Sequence, residues 1–206
     1  LRILILTIIL LLATSIAQGQ ESAATQPISD VERSALSPSR GMLELGRNVA
    51  TTACAGCHGI DGVSTAPGIP NLAGQRPVYL SRVLKAYQSR QRRNDDMNHA
   101  IGFLNEDALI AVAAYYASLT PVGPELSRDE ADVEEAMTAV DPFRDIRDEM
   151  KKCVKCHGED GNSSASGMPN LSAQSPEYFA ESMTAYVNGN RDHKLMKKLV
   201  SGLDAA

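Results

Sequence analysis

Apolar positions recur at intervals of three and four residues in several stretches of this chain, which is the periodicity of helices with one buried face. Met42, Leu45 and Val49 form one such set and predict a short helix leading towards residue 54. A longer set runs over residues 79–87 and follows Pro77, a residue that suits the first turn of a helix. No stretch alternates convincingly in the manner of a strand. The pattern therefore predicts an all-α fold.

A further helix is predicted near the middle of the chain. Asn105 is followed by two acidic residues, and together they supply a capping side chain and negative charge at the start of a helix. The helix then runs through residues 108–119 and stops at Thr120-Pro121. An apolar set with helical spacing precedes residue 153, and it consists of Phe143, Ile146 and Met150.

The chain contains one long internal repeat. Residues 54–97 align with residues 153–196 at a constant offset of 99, without a gap, and nearly half of the aligned positions are identical. The identical pairs include Gly59/Gly158, Asp61/Asp160, Gly62/Gly161, Gly68/Gly167, Pro70/Pro169, Asn71/Asn170, Leu72/Leu171, Gln75/Gln174, Pro77/Pro176, Tyr79/Tyr178, Tyr87/Tyr186 and Met97/Met196. Two copies of this size indicate a duplicated domain rather than a solenoid. We assign residues 39–120 to the first domain, 121–141 to a linker with an acidic run, and 142–206 to the second domain.

The first 38 residues differ in composition from the rest of the chain. One basic residue precedes an apolar run, and Ser15-Ile16-Ala17 offers small residues of the kind that signal peptidase reads, so residues 1–17 predict a cleaved secretory signal peptide. The run is short of the roughly 20 residues of a membrane-spanning helix, and an uncleaved anchor is the alternative. Residues 18–38 are rich in Gln, Ser, Ala and Thr and predict a flexible leader.

Charge restricts the partners of the protein. The net charge of −5 is modest and does not indicate binding to nucleic acid. An acidic protein would suit a basic docking face on a protein partner, although ordinary solubility explains the same charge. A peripheral association with a membrane stays open as a further alternative.

All four cysteines fall in two copies of one motif, Cys-x-x-Cys-His, at residues 54–58 and 153–157. This is the attachment signature of c-type haem: the thiols Cys54, Cys57, Cys153 and Cys156 would bind porphyrin vinyl groups, two to each porphyrin. His58 and His157 would then bind the iron. A thioredoxin-like dithiol needs no such histidine, and a four-cysteine zinc site usually separates its pairs by roughly 15–20 residues. The motifs predict two covalently bound haem c groups, with zinc and dithiol chemistry as the alternatives.

The sixth iron ligand is predicted from the repeat. Met97 and Met196 both lie 39 residues after the motif histidine of their copy, in otherwise polar surroundings. A thioether is a soft ligand that raises the potential of a haem, although methionine more often fills a core. His99 and His193 are rival ligands, and neither has a histidine at the equivalent position of the other copy.

Three motifs of the first copy resemble those of class I cytochromes c: Cys-Ala-Gly-Cys-His-Gly-Ile-Asp-Gly (54–62), Pro-Asn-Leu-Ala-Gly-Gln (70–75) and Ala-Ala-Tyr-Tyr-Ala-Ser-Leu (113–119). The first two recur at 153–161 and 169–174, and over residues 40–206 the arrangement is similar to the dihaem cytochrome c4 type. The resemblance implies two small helical haem domains related by a pseudo-twofold axis and joined by an internal electron path. It also implies His/Met ligation, with the backbone carbonyls of Pro70 and Pro169 holding the motif histidines.

Two features depart from that family. The chain ends at Ala206, where the first copy still has its final helix to come, so we expect an incomplete sequence; a second domain completed by a partner is the alternative. The small residue that the family places before the haem motif is present at Gly46, but the second copy has Asp145 there. The packing of that helix in the second copy is therefore not predicted.

The resemblance implies a periplasmic electron carrier between respiratory donors and a terminal oxidase or reductase, with redox proteins as its partners. An electron-transfer subunit of a periplasmic dehydrogenase, acting on sulfide, thiosulfate or an alcohol, is the alternative. A dihaem enzyme would need an exchangeable or unusual sixth ligand. Because both copies offer methionine and all cysteines are assigned to haem, a carrier without its own catalysis is expected.

Overall fold

The computed structural model describes residues 26–122 and 147–202. The predicted signal peptide at 1–17, the first part of the predicted leader and the linker from residue 123 onward lie outside the described residues. The apolar positions Phe143 and Ile146 also lie outside them.

Residues 26–122 contain six helices: α1 (Asp30–Ser34) before the first copy, and α2 (Arg40–Val49), α3 (Ala55–His58), α4 (Pro77–Gln88), α5 (Asp95–Ile101) and α6 (Glu106–Ala117) within it. A π-helical turn, Ala50–Cys54, joins α2 to α3. The second copy has α7 (Arg147–His157), α8 (Pro176–Val187) and α9 (Lys194–Val200). Within the two described ranges all regular secondary structure is helical, apart from an isolated antiparallel bridge between Arg92 and Arg191. The predicted all-α fold is confirmed.

Local sequence explains where these helices begin. The Asn105 side chain caps α6 by accepting a hydrogen bond from the backbone N–H of Ala108, as predicted. Ser39 caps α2 in the same way. Pro77 and Pro176 lie in the first turns of α4 and α8, where a missing N–H costs nothing.

Helix α6 is the centre of the first domain, because residues 109–114 are all buried. It packs against α2 on one side and α4 on another. The crossing with α2 is very close: a Cβ atom added at Gly46 would lie 2.1 Å from the backbone oxygen of Ala111. A glycine at this position therefore lets the two helix backbones approach. Around the crossing, Val49, Leu80 and Tyr116 belong to one apolar cluster.

The prediction that residues 18–38 form a flexible leader is wrong for the described part of that segment. Ser29 and Glu32 form a capping box that starts α1. The Glu32 carboxylate also forms a buried ion pair with Arg82 of α4, with 2.7 Å between Glu32 Oε1 and Arg82 Nε. Ala35 follows the helix and is buried against Ile110 of α6. These contacts fix the segment on the first domain, which composition alone did not indicate.

The two copies face each other through the loops after their motifs and through the segments after α4 and α8. The bridge between Arg92 and Arg191 lies on one side of this contact. Next to it, the backbone N–H of Arg93 donates to Asn190 O at 2.7 Å. Since Arg92 and Arg191 are equivalent residues of the repeat, the contact brings matching parts of the two copies together.

Candidate haem-binding sites

The first motif lies at the junction between the π-helical turn and α3. Cys54 ends the turn and is partly buried, Cys57 is exposed on α3, and His58 ends α3 with 7% of its surface exposed. Burial raises the pKa of the Cys54 thiol to about 11, although a hydrogen bond from Tyr116 acts in the opposite direction. The thiol is therefore neutral at pH 7. The second motif ends α7, with His157 buried and 8% exposed.

Each motif histidine contacts a proline carbonyl twelve residues further along the chain. His58 Nδ1 lies 3.0 Å from Pro70 O, and His157 Nδ1 lies 3.0 Å from Pro169 O. A carbonyl oxygen can only accept, so Nδ1 must carry a proton, and the tautomer of the neutral ring that fits this contact has its lone pair on Nε2. Burial lowers the pKa of His58, more strongly than the Pro70 hydrogen bond raises it. The neutral ring then has a free nitrogen, which is the form that binds iron.

The loop that carries each proline is held by the asparagine that follows it. In the first copy, Asn71 Oδ1 accepts a hydrogen bond of 2.8 Å from the Ser64 backbone N–H. In the second copy, Asn170 Oδ1 accepts one of 3.1 Å from the Ser163 backbone N–H. Ser163 is fully buried, and its hydroxyl donates to the carbonyl oxygen of Cys156. These bonds connect the proline loop to the motif helix and so fix the position of each histidine.

The predicted sulfur ligands lie at equivalent places near the starts of two short helices. Met97 is the third residue of α5, and Asn94 caps this helix by accepting from the Met97 backbone N–H at 2.9 Å. Met196 is the third residue of α9, and His193 caps it by accepting from the Met196 backbone N–H at 3.2 Å. Both methionines are partly buried. Met97 also contacts the apolar cluster that contains Tyr87, so it has a packing role as well.

The rival histidine ligands have different surroundings from the methionines. His193 uses Nδ1 as the cap acceptor of α9, which leaves the proton of a neutral ring on Nε2. Binding iron through that ring would require the cap or the proton to be lost. His99 lies in α5 and is exposed. The cap role of His193 was not predicted, although its alignment with Asn94 in the repeat contained the signal.

Two glutamines, Gln174 and Gln75, connect the proline loops across the contact between the copies. Gln174 Oε1 accepts from the Asn71 backbone N–H at 3.1 Å, and Gln174 Nε2 donates to Asn71 O at 2.6 Å. Gln75 makes the same pair of bonds with Asn170, at 2.7 Å and 2.9 Å. The asparagine side chains add one bond each, from Asn71 Nδ2 to Ala173 O and from Asn170 Nδ2 to Gly74 O. Each copy therefore holds the proline loop of the other.

Two arginines cross the contact in the same reciprocal manner. Arg92 donates to the Tyr178 hydroxyl at 3.0 Å, and Arg191 donates to the Tyr79 hydroxyl at 2.6 Å. Although burial of Tyr178 opposes ionisation, the positive charges of Arg92 and Arg191 lower the pKa of this phenol to about 8. The sequence pattern places Tyr79 only on the apolar face of a helix, whereas its hydroxyl accepts a hydrogen bond from Arg191 of the other copy.

The remaining tyrosines of the repeat lie under the same arginines. The Arg92 guanidinium carbon lies 4.7 Å from the ring centre of Tyr87, and that of Arg191 lies 4.5 Å from the ring centre of Tyr186. Such stacking is favourable for a partly dehydrated guanidinium. The tyrosine pairs of the repeat therefore belong to the contact between the copies.

The donor set fits covalently attached haem. Each copy offers two thiols three positions apart, a buried imidazole whose Nδ1 donates to a proline carbonyl, and a partly buried thioether. No group of three or more His, Cys, Asp or Glu residues arranged to hold a metal ion occurs in residues 26–122 and 147–202.

Comparison with known proteins also indicates a protein with covalently attached haem. The family model for cytochrome c matches residues 43–120. Cytochrome c4 of Pseudomonas aeruginosa is 32% identical over 157 residues, which cover 73% of this chain and 76% of the relative. A thiosulfate dehydrogenase electron acceptor of Stutzerimonas stutzeri is 32% identical over 149 residues, 71% of this chain and 68% of the relative. The chain is also similar to the crystal structure of reduced recombinant cytochrome c4 from Pseudomonas stutzeri, with a TM-score of 0.62 and 26% identity. This match covers 79% of the present chain and 90% of the cytochrome c4 chain.

The fold, the two motifs and these similarities define an electron-transfer protein of the cytochrome c class with covalently bound haem c and redox proteins as partners. Within this class, the chain belongs to the cytochrome c4 family. The family predicted from the motifs is confirmed. In the part of the chain that the structure describes, no helix is long and apolar enough to cross a membrane.

Proposed function

We propose that this chain is a periplasmic carrier of single electrons with two haem c groups, one attached through Cys54 and Cys57 and the other through Cys153 and Cys156. The observation that carries the proposal is the contact of 3.0 Å between Nδ1 of the motif histidine and a proline carbonyl, present in both copies. This contact sets the tautomer that leaves Nε2 available for iron. Bound haem iron supplies a reversible one-electron couple between its ferrous and ferric states.

In the proposal, His58 and Met97 would bind the iron of the first haem, and His157 and Met196 would bind the iron of the second. The capped starts of α5 and α9 hold the two methionines at the same place in each helix. With a histidine and a methionine bound, each iron would have no position free for a substrate, and the buried histidines would limit the access of water. Electron transfer then needs no bond to form or break in a partner.

The haem count and the sulfur ligands can be tested together. The mass of the mature protein should contain two added haems, and the oxidised protein should show the sulfur-to-iron absorption band. Met97→Ala and Met196→Ala should each remove about half of that band, because each removes one of two equivalent ligands. Met42→Ala is the matched control, since Met42 is also partly buried but packs against the cluster of Ala35, Ile110 and Ala114. An unchanged band in the double variant would reject methionine ligation.

The periplasmic location in the proposal is supported by residues 1–17 and by the family, and the mature N-terminus is its test. If a signal peptide is cleaved during export, the mature protein should begin after Ala17 and its mass should match that N-terminus. A mature protein that still contains the apolar run would support the uncleaved anchor instead.

A subunit of a thiosulfate-oxidising dehydrogenase is the second candidate, because one relative at 32% identity is a thiosulfate dehydrogenase electron acceptor. In both functions the chain carries electrons, and they differ in the donor. The pure chain should not oxidise thiosulfate with ferricyanide as the acceptor. Thiosulfate dehydrogenase added together with thiosulfate should pass electrons to the haems rapidly only if the second candidate is correct. Turnover by the pure chain, together with a high-spin iron spectrum, would indicate an enzyme.

A further inference from the structure

We propose that Gln174 and Gln75 tune the iron-binding histidine of the opposite copy, so that each domain sets part of the reduction potential of its neighbour. The inference rests on the proposed function in one respect, namely that His58 and His157 bind iron. Both glutamines are positioning residues, since each contacts the peptide that holds a histidine and not the histidine itself.

The connection in the first copy runs through one peptide group. The carbonyl of the peptide between Pro70 and Asn71 lies 3.0 Å from His58 Nδ1. The N–H of the same peptide donates to Gln174 Oε1 at 3.1 Å. His58 and Gln174 are therefore bonded to the two ends of one conjugated amide, although they belong to different domains.

The second copy repeats the arrangement with the roles exchanged. The carbonyl between Pro169 and Asn170 lies 3.0 Å from His157 Nδ1, and its N–H donates to Gln75 Oε1 at 2.7 Å. Gln75 is 6% exposed, so little water competes for this bond. Because the same pair of hydrogen bonds occurs in both copies, the contact is a feature of the repeat.

The physical effect follows from resonance in the amide. A hydrogen bond accepted from the N–H increases the negative charge on the carbonyl oxygen, and hydrogen bonds in such chains strengthen one another by about 10–30%. A stronger acceptor pulls the Nδ1 proton of the histidine and makes the ring a better donor to iron. A better donor favours the ferric state, so each glutamine lowers the potential of the haem in the other copy.

The geometry around Asn71 keeps this peptide in place. Its side chain accepts from the Ser64 N–H at 2.8 Å and donates to Ala173 O at 2.7 Å. Gln174 Nε2 also donates to Asn71 O at 2.6 Å, so the glutamine amide is held at both of its ends. A movement between the domains would have to lengthen these bonds, and would change the histidine at the same time.

Gln174→Met is the direct test, because methionine has a similar size and cannot accept the Asn71 N–H bond well. In the whole haem-loaded protein, a redox titration should show a higher potential for the first haem. We expect about a threefold shift of its reduction equilibrium, which is about 28 mV at 59 mV per tenfold change. The second haem should change less. Hyperfine-shifted methyl signals in the NMR spectrum of the oxidised protein assign each potential to its domain.

Gln75→Met should give the mirror result, with the larger rise at the second haem. Gln88→Met is the matched control: its side-chain N–H groups donate to the backbone oxygens of Ile101 and Leu104 inside the first copy, away from the proline peptides. It should leave the difference between the two potentials unchanged. Gln174→Asn provides a second variant that keeps an amide but is one methylene too short to reach both atoms of Asn71.

The crossed pattern separates tuning from simple loosening of the contact. If Gln174→Met and Gln75→Met shift both haems equally, or shift only the haem of their own copy, the inference is wrong. It is also wrong if neither potential moves while two haems and the sulfur-to-iron band are retained, and in that case the proposed function still stands. Loss of the two-haem mass in the unmodified protein would reject the proposed function itself.

Discussion

The ion pair between Glu32 and Arg82 predicts a measurable dependence of stability on pH. The two side chains are 7% and 10% exposed, and the shortest contact is 2.7 Å. Burial raises the pKa of Glu32, but the hydrogen bonds and charge of Arg82 and the backbone N–H of Ser29 outweigh it and lower the pKa to about 2. The ordinary value is 4.5. This carboxylate is therefore much more stable as an anion in the folded protein than in the unfolded chain.

The magnitude follows from the shift of the pKa. At about 1.4 kcal/mol per pKa unit, lowering the pKa from 4.5 to about 2 adds at most about 3 kcal/mol to the free energy of unfolding at pH 7. Because the folded pKa is the lower one, this contribution is complete above pH 4.5 and is lost as the pH falls towards 2. Glu32→Gln should therefore be less stable than the parent at pH 7 and nearly equal to it at pH 2.

Guanidinium denaturation of the oxidised protein, followed by far-ultraviolet circular dichroism at several pH values, measures this difference. Glu44→Gln is the control, because the Arg40–Glu44 pair has the same chemistry but side chains that are 92% and 64% exposed. Its effect should stay below about 1 kcal/mol at every pH. Arg82→Met should cost more than Glu32→Gln at pH 7, since it leaves the carboxylate buried without its partner. A difference between the parent and Glu32→Gln that is constant from pH 7 to pH 2 would refute this account.

Substitutions at three further positions test other parts of the structure. Gly46→Ala should destabilise the first domain by several kcal/mol in the same denaturation assay, because its Cβ would lie 2.1 Å from Ala111 O; a change under 1 kcal/mol would mean that the helix crossing relaxes easily. Asn105→Ala should cost about 1 kcal/mol through loss of the α6 cap, and Asn105→Asp should restore most of it. Tyr79→Phe should cost about 1–2 kcal/mol and increase amide hydrogen exchange at the contact between the copies, because the buried Arg191 loses an acceptor; unchanged exchange would contradict that role.

Much of each candidate site could be predicted because its residues are close in sequence or are matched by the repeat. The Cys-x-x-Cys-His motifs need only a turn of helix to bring their groups together. The asparagine cap of α6 was predictable for the same reason, since Asn105 bonds to a residue three positions away. Contacts between residues that are this close in sequence depend on local geometry, which sequence patterns indicate directly.

Contacts between the copies could not be predicted, because they depend on how two folded units meet. Gln75 was identified as a repeated residue, but nothing local indicates that it bonds to Asn170. The π-helical turn at Ala50–Cys54 was also missed, since such a turn has no pattern of its own. The helix at Asp30–Ser34 has a local signal in the capping box of Ser29 and Glu32, although the polar composition of residues 18–38 is typical of a flexible segment.

The reciprocal contacts at the centre of the molecule have the form of an isologous dimer interface placed within one polypeptide. In such an interface a favourable substitution in a single ancestral unit appears on both sides at once, so self-association can arise from few changes. After fusion, each half is free to diverge. Gly74 and its equivalent Ala173 illustrate this divergence, because both have a similar positive φ but only Ala173 carries a Cβ atom. A Cβ atom at Gly74 would lie 2.7 Å from Pro121. Covalent linkage therefore preserves the pairing while it allows two once-identical redox centres to acquire separate properties.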